Sequence, residues 1–363
     1  MSGGRTYTAL WIATLAAVLM AIGLTPRRQP RQPASPSSGS HDPSAIAAEA
    51  DRGRGADRPA EIPPRGWKDI ALRIWGNIGS HRIVLVAAGV TFYALLAIFP
   101  AIAALVALYG LFADPSRIAA QVDDLSGLLP GGALDVVRDQ MTRVAAQGQS
   151  KLGLALVIGL AVSLWSANAG VKSLFDALNL VHDEPERRGL VRLNLVSLGV
   201  TSAALLFVLI AIGCIVALPA IFATTNPTGA THLIVQIARW PVLFVVIAFG
   251  LSCIYRFGPS RATPRWRWVT WGSAFAAVAW IAVSLAFSWY TANFGTYNKT
   301  YGSLGAVVGF MMWIWLSTCV ILIGAELDAE MEHQTARDTT SGGDKPIGAR
   351  GAKMADTVGA AQG

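Results

Sequence analysis

Charge is what this sequence has least of. Only 14% of its 363 residues are Asp, Glu, Lys or Arg, against about 25% in an ordinary soluble protein. Between residues 83 and 325 only 23 charged side chains are spread over 243 positions, too few to cover a water-exposed surface. That excludes a soluble enzyme, and an apolar content of 53% excludes a disordered chain. Cysteine is scarce as well. Cys214, Cys253 and Cys319 each sit in an apolar run, so no disulfide framework and no metal-ligand spacing is present. The five histidines lie more than ten residues apart. There is no H-x-x-x-H, C-x-x-C, phosphate-binding loop or nucleophile elbow. His182-Asp183-Glu184 is the one clustered trio of ligand types, and its charged loop reads as solvated. The sequence therefore predicts no enzyme, no cofactor and no metal.

What the chain has in abundance is long apolar runs. A helix needs about 20 apolar residues to cross a ~30 Å bilayer core. Six runs qualify: 83–111, 152–174, 193–222, 233–255, 268–290 and 304–325. The fold expected is an all-α polytopic membrane protein with a six-helix transmembrane core. A further run at 9–24 predicts an extra N-terminal anchor, because Arg27, Arg28 and Arg31 follow it and only Arg5 precedes it. A cleaved signal, or a start codon upstream of the true domain, are the alternatives. The organisation expected is anchor 1–24, disordered linker 25–66, membrane domain 67–333 and disordered tail 334–363. Pro100 stands inside the first long run and predicts a kink there.

Arginine sets the orientation. Residues 25–82 carry ten Lys/Arg, and the loops 175–192 and 256–267 carry three and four. The intervening loops 112–151, 223–232 and 291–303 carry four, none and one, and the arginine-rich set as a whole is assigned to the cytoplasm of a bacterial inner membrane, with the C-terminus on that side. Trp266, Trp268 and Trp271 at one end of the fifth run, and Trp289 and Tyr290 at the other, read as an aromatic belt. In 67–82 the apolar residues Trp67, Ile70, Ile74, Trp75 and Ile78 recur at helical spacing opposite Lys68, Asp69, Arg73 and Asn77. This predicts a helix lying on the inner membrane surface with its polar face toward headgroups. Leu134, Val137, Met141 and Val144 form a second stripe, a cap or a lid over the bundle.

Polar residues inside membrane spans are costly and point to function. Asn168, Lys172, Asp176 and Asn179 share one face of the second run and are the candidate lining of a substrate cavity. The competing reading is a helix end with a snorkelling lysine. Ser284 and Ser288 in the fifth run predict helix-to-helix hydrogen bonds. The glycine- and tyrosine-rich loop 293–303 offers Tyr297, Tyr301 and Gly302 as an interface anchor or as contacts for a headgroup or sugar.

Several stretches in order resemble the YihY/virulence factor BrkB family of bacterial inner-membrane proteins. They are Thr91 to Pro100, Leu164 to Asn168, Ala177 to Asn179, Phe294 to Gly305, Trp313 to Ser317, and Gly324-Ala325-Glu326-Leu327-Asp328-Ala329-Glu330. The likeness covers about residues 67–333. It implies six spans with both ends of the core in the cytoplasm, and it implies little chemistry. The ribonuclease label once attached to the family finds no acid–base or metal constellation here. The expected role is transporter-like handling of an amphipathic or lipid substrate of the cell envelope. A non-catalytic scaffold in envelope integrity is the alternative. Membrane lipids, a second copy of the chain or an envelope protein are the expected partners, and no nucleic acid.

Overall fold

The computed structural model describes residues 49–110, 152–225, 229–294 and 303–362. The run at 9–24, the first part of the linker, the 134–145 stripe, and Tyr297, Tyr301 and Gly302 lie outside the described residues. Two short 3-10 turns, Ala50–Arg52 and Pro59–Glu61, lead into α1 (Pro64–Ser80). Six long helices follow: α2 (Ile83–Gly110), α3 (Leu152–Val181), α4 (Leu190–Thr225), α5 (Gly229–Phe257), α6 (Trp266–Phe294) and α7 (Ser303–Gln334). The one-turn helix α8 (Lys353–Asp356) stands in the tail. Among the described residues there is no β-strand element, and a lone bridge joins Pro264 to Thr340.

Helices α2 to α7 coincide with the six apolar runs. Among the described residues, four stretches are long and apolar enough to cross a bilayer: Ile83–Ile102, Leu190–Leu209, Trp266–Tyr290 and Val307–Gln334. In α5 the described apolar stretch Phe244–Phe257 is shorter. Helix α2 continues past Pro100 to Gly110. Leu85, Phe92, Leu96, Phe99, Trp165 and Leu195 are each more than half exposed on the outside of the bundle. In water such a collar would drive aggregation, whereas against hydrocarbon it is the ordinary surface of a membrane protein.

Helix α2 packs on α3 and α7, and α6 lies between α5 and α7. The core is densest toward the charged end, where Ile83, Ala87, Leu178, Tyr255, Val269, Leu322 and Ala325 are buried together. Two glycines let α6 and α7 touch backbone to backbone. A Cβ on Gly272 would overlap the Gly324 carbonyl oxygen, and one on Gly324 would sit 2.6 Å from Ala276 Cβ. The same pair of helices is tied by indole N–H groups: Trp280 donates to Ser317 at 2.9 Å and Trp313 to Ser284 at 3.2 Å. Ser284 thus bonds helix to helix as expected.

Three sequence expectations meet a different structure. Asp69 and Arg73 do not face headgroups, because both are buried and turned inward from α1. The outward residues of α1 include Leu72 and Trp75, the latter 79% exposed. Trp268, expected in the belt, is fully buried with Ile70 and Met331, while Trp266 and Trp271 remain exposed. The segments expected to be disordered are ordered where described. Residues 49–63 pack through Ala56 and Ile62, and the tail buries Thr335, Thr339, Met354, Ala355 and Val358. The cause is pairing that composition does not display. Arg350 Nη1 donates to the carbonyls of Arg337 and Ala355, and its Nη2 to that of Ala336. Asp338 in turn accepts from Thr340 and from the Lys345 amide.

Candidate functional site

Helices α3 and α4 meet along a polar seam. Lys172 Nζ donates to Asn194 Oδ1 and lies 5.3 Å from the centroid of the Trp165 ring. One turn away from it along α3, Thr201 donates to Asn168 Oδ1 at 3.1 Å. Asn168 is fully buried and its Nδ2 has no hydrogen-bond partner. Asn194, Ser197 and Thr201 fall at i, i+3 and i+7 on one face of α4, within the bilayer-length stretch Leu190–Leu209. A half-buried ammonium and an orphaned amide among apolar helices are expensive to keep. Chemically they present a cation and an amide donor without a partner.

The structure divides the four residues that the sequence groups on one face. Asn168 and Lys172 belong to the seam. Asp176, one turn further along α3, is exposed, and its charge acts on Lys172. Asn179 is buried elsewhere, as a clamp between loops. Its Nδ2 donates to Glu186 at 2.9 Å and its Oδ1 accepts from the Ser260 amide at 2.6 Å. Sequence reasoning missed Asn194 and Thr201, although their spacing along an apolar run was a usable signal.

The charged end of the bundle holds a second constellation, which sequence reasoning missed as a site. Glu326, Asp328, Glu330 and Glu332 of α7 are all buried. Each meets a group from another segment. His81 Nδ1 lies 2.5 Å from Glu326 Oε1, and Arg73 pairs with Glu330. Arg261 forms a two-bonded fork on Glu332 at 2.7 and 2.8 Å, and the Gly272 amide donates to Asp328. Four carboxylates at alternate positions of an otherwise uncharged helix were the readable sign.

His182-Asp183-Glu184 is not a solvated loop. His182 and Glu184 are buried, and Asp183 pairs with Lys353 of the tail at 2.9 Å and with His81 at 3.7 Å. Burial works against a charge on His81, but Asp183 and Glu326 outweigh it and raise its imidazole to about 10. Burial likewise opposes ionisation of Asp183, yet His81 and Lys353 hold it below the usual carboxylate range. Burial and the nearby Arg261 charge push His182 well down, so it stays neutral. Among the described residues no group of three or more His, Cys, Asp or Glu is placed to hold a metal. The arrangement ties α1, the α3–α4 loop, the α5–α6 loop, α7 and the tail together, which is a structural task.

The family model described as virulence factor BrkB matches residues 74–347. The ribonuclease-like protein YfkH of Bacillus subtilis is 30% identical over 220 residues, 57% of this chain and 77% of that protein. A UPF0761 membrane protein of Albidiferax ferrireducens is 24% identical over 74% of this chain and 64% of its own length. Its counterpart in Haemophilus influenzae is 20% identical over 73% and 96%. No solved structure matches the chain.

Proposed function

This chain belongs to the virulence factor BrkB family, and on that footing we propose that it binds and moves an amphipathic or lipid substrate of the cell envelope within the bacterial inner membrane. The observation that supports the reading is the α3–α4 seam, where Lys172 and the orphaned Asn168 amide offer a cation and a free donor among apolar helices. An anionic head would settle there while its apolar part stays among the lipid-facing side chains of α3 and α4. The arginine-rich loops support a cytoplasmic side for the charged end, and with it the C-terminus. No catalytic step is part of the proposal.

Recruitment of partners by the C-terminal tail is the weaker reading, since Met354, Ala355 and Val358 are already buried against the bundle. The test is mass spectrometry of lipids retained by the purified protein after exhaustive delipidation. Wild type should keep one species at a defined ratio, and Asn168→Leu with Lys172→Leu should lose it at unchanged elution volume. Bulk phospholipid alone, the same in both proteins, would overturn the reading.

A further inference from the structure

A groove of about 720 Å³ opens where α1, α2 and α7 meet, within the range of about 300–1,000 Å³ typical of small-molecule sites. Ile78, Val84, Leu85, Ala88 and Trp315 make its apolar wall, and Arg82 stands in its rim. The rim and wall follow from chain geometry. Arg82 adopts a left-handed backbone, φ 50°, as the chain turns from α1 into α2. Its side chain is exposed, and its guanidinium makes no ion pair among the described residues. Trp315 is held as a wall because its indole N–H donates to the Val84 carbonyl at 3.1 Å. The floor is open at Gly79, where an added Cβ would meet nothing within 4 Å.

Position gives the groove its meaning. Arg82 immediately precedes the bilayer-length stretch Ile83–Ile102, so the cation lies at headgroup level and Leu85 and Ala88 lie one to two turns deeper. Trp75 is exposed on the neighbouring helix, as a residue at the membrane interface would be. We infer that this groove is a binding site for an anionic phospholipid, its phosphate on Arg82 and one acyl chain along Leu85, Ala88 and Trp315. A cation at the mouth of an apolar trough complements an anionic headgroup on a chain and offers a zwitterionic lipid less. The site is separate from the α3–α4 seam and stands whether or not the seam binds substrate.

The test counts lipids bound to the full-length protein in detergent by native mass spectrometry. The probes are phosphatidylglycerol and phosphatidylcholine of identical chains, supplied together. Wild type should favour phosphatidylglycerol several-fold. Arg82→Gln should lower that ratio, and Ala88→Phe, which fills the trough, should lower the count of both. Arg65→Gln, an exposed arginine outside the groove, should leave the preference intact. An undiminished preference in Arg82→Gln, or an unchanged count in Ala88→Phe, overturns the site. If Lys172→Leu alone removes the preference, the anionic lipid belongs to the seam and the groove proposal fails.

Discussion

His81 links three segments through its two ring nitrogens, Nδ1 to Glu326 and Nε2 to Asp183. Its folded-state value, about 10, exceeds the ordinary ~6.5 of a histidine. A group raised on folding stabilises fully below its ordinary value, and that contribution disappears as pH climbs to the folded one. Thermal unfolding in detergent should therefore show a midpoint that declines between about pH 6.5 and 10. His81→Gln should flatten that limb while lowering the midpoint near neutrality. An identical alkaline decline in His81→Gln would show that other groups set it. Lys172 was legible from sequence, since a lysine in an apolar run is visible without any partner. The ionic role of His81 was not legible, because its carboxylates stand 102 and 245 residues further along.

Elements were legible where periodicity alone decides them. The six long helices follow from apolar runs of bilayer length, and α1 from a 3.6-residue stripe. The polar face of α1 was readable, but its destination was not, because Arg73 is satisfied by Glu330 and by the Gln334 side chain and not by water. The same holds for the tail, whose glycine- and threonine-rich composition hides a set of specific hydrogen bonds around Arg350. The α6–α7 contact makes a sharper demand. A methyl group on Gly272 would overlap Gly324 O and lie 2.5 Å from Asp328 Oδ1, so Gly272→Ala must push the helices apart. Overpacking of this kind costs about 1–3 kcal/mol, and loss of the amide bond to Asp328 would add to it. A lower unfolding midpoint for Gly272→Ala checks this, with Gly76→Ala, whose position is open, as the control that should not lose stability.

At the scale of the molecule, residues 335–362 fasten the charged end. Lys353 holds the α3–α4 loop through Asp183, the Gln362 amide donates to Asp69 on α1, and Arg73 donates to the Ala360 carbonyl. A chain ending at Gln334 should stay inserted, but trypsin should then cut after Arg73, a site buried in the full protein. Mass mapping of limited digests reads this directly, and equal protection of Arg73 in both proteins would show that the tail does not hold α1.

That fastening has a consequence for how the protein is made. The Gln362 contact to Asp69 spans 293 residues. At about 5–20 residues per second of synthesis, α1 leaves the ribosome roughly 15–60 s before the segment that completes its cover. Through that interval Asp69 lacks the tail amide, and for most of it Arg73 lacks both Glu330 and the tail carbonyl. The lipid surface, or an insertion factor, has to shelter the newborn helix until Ala360 and Gln362 arrive.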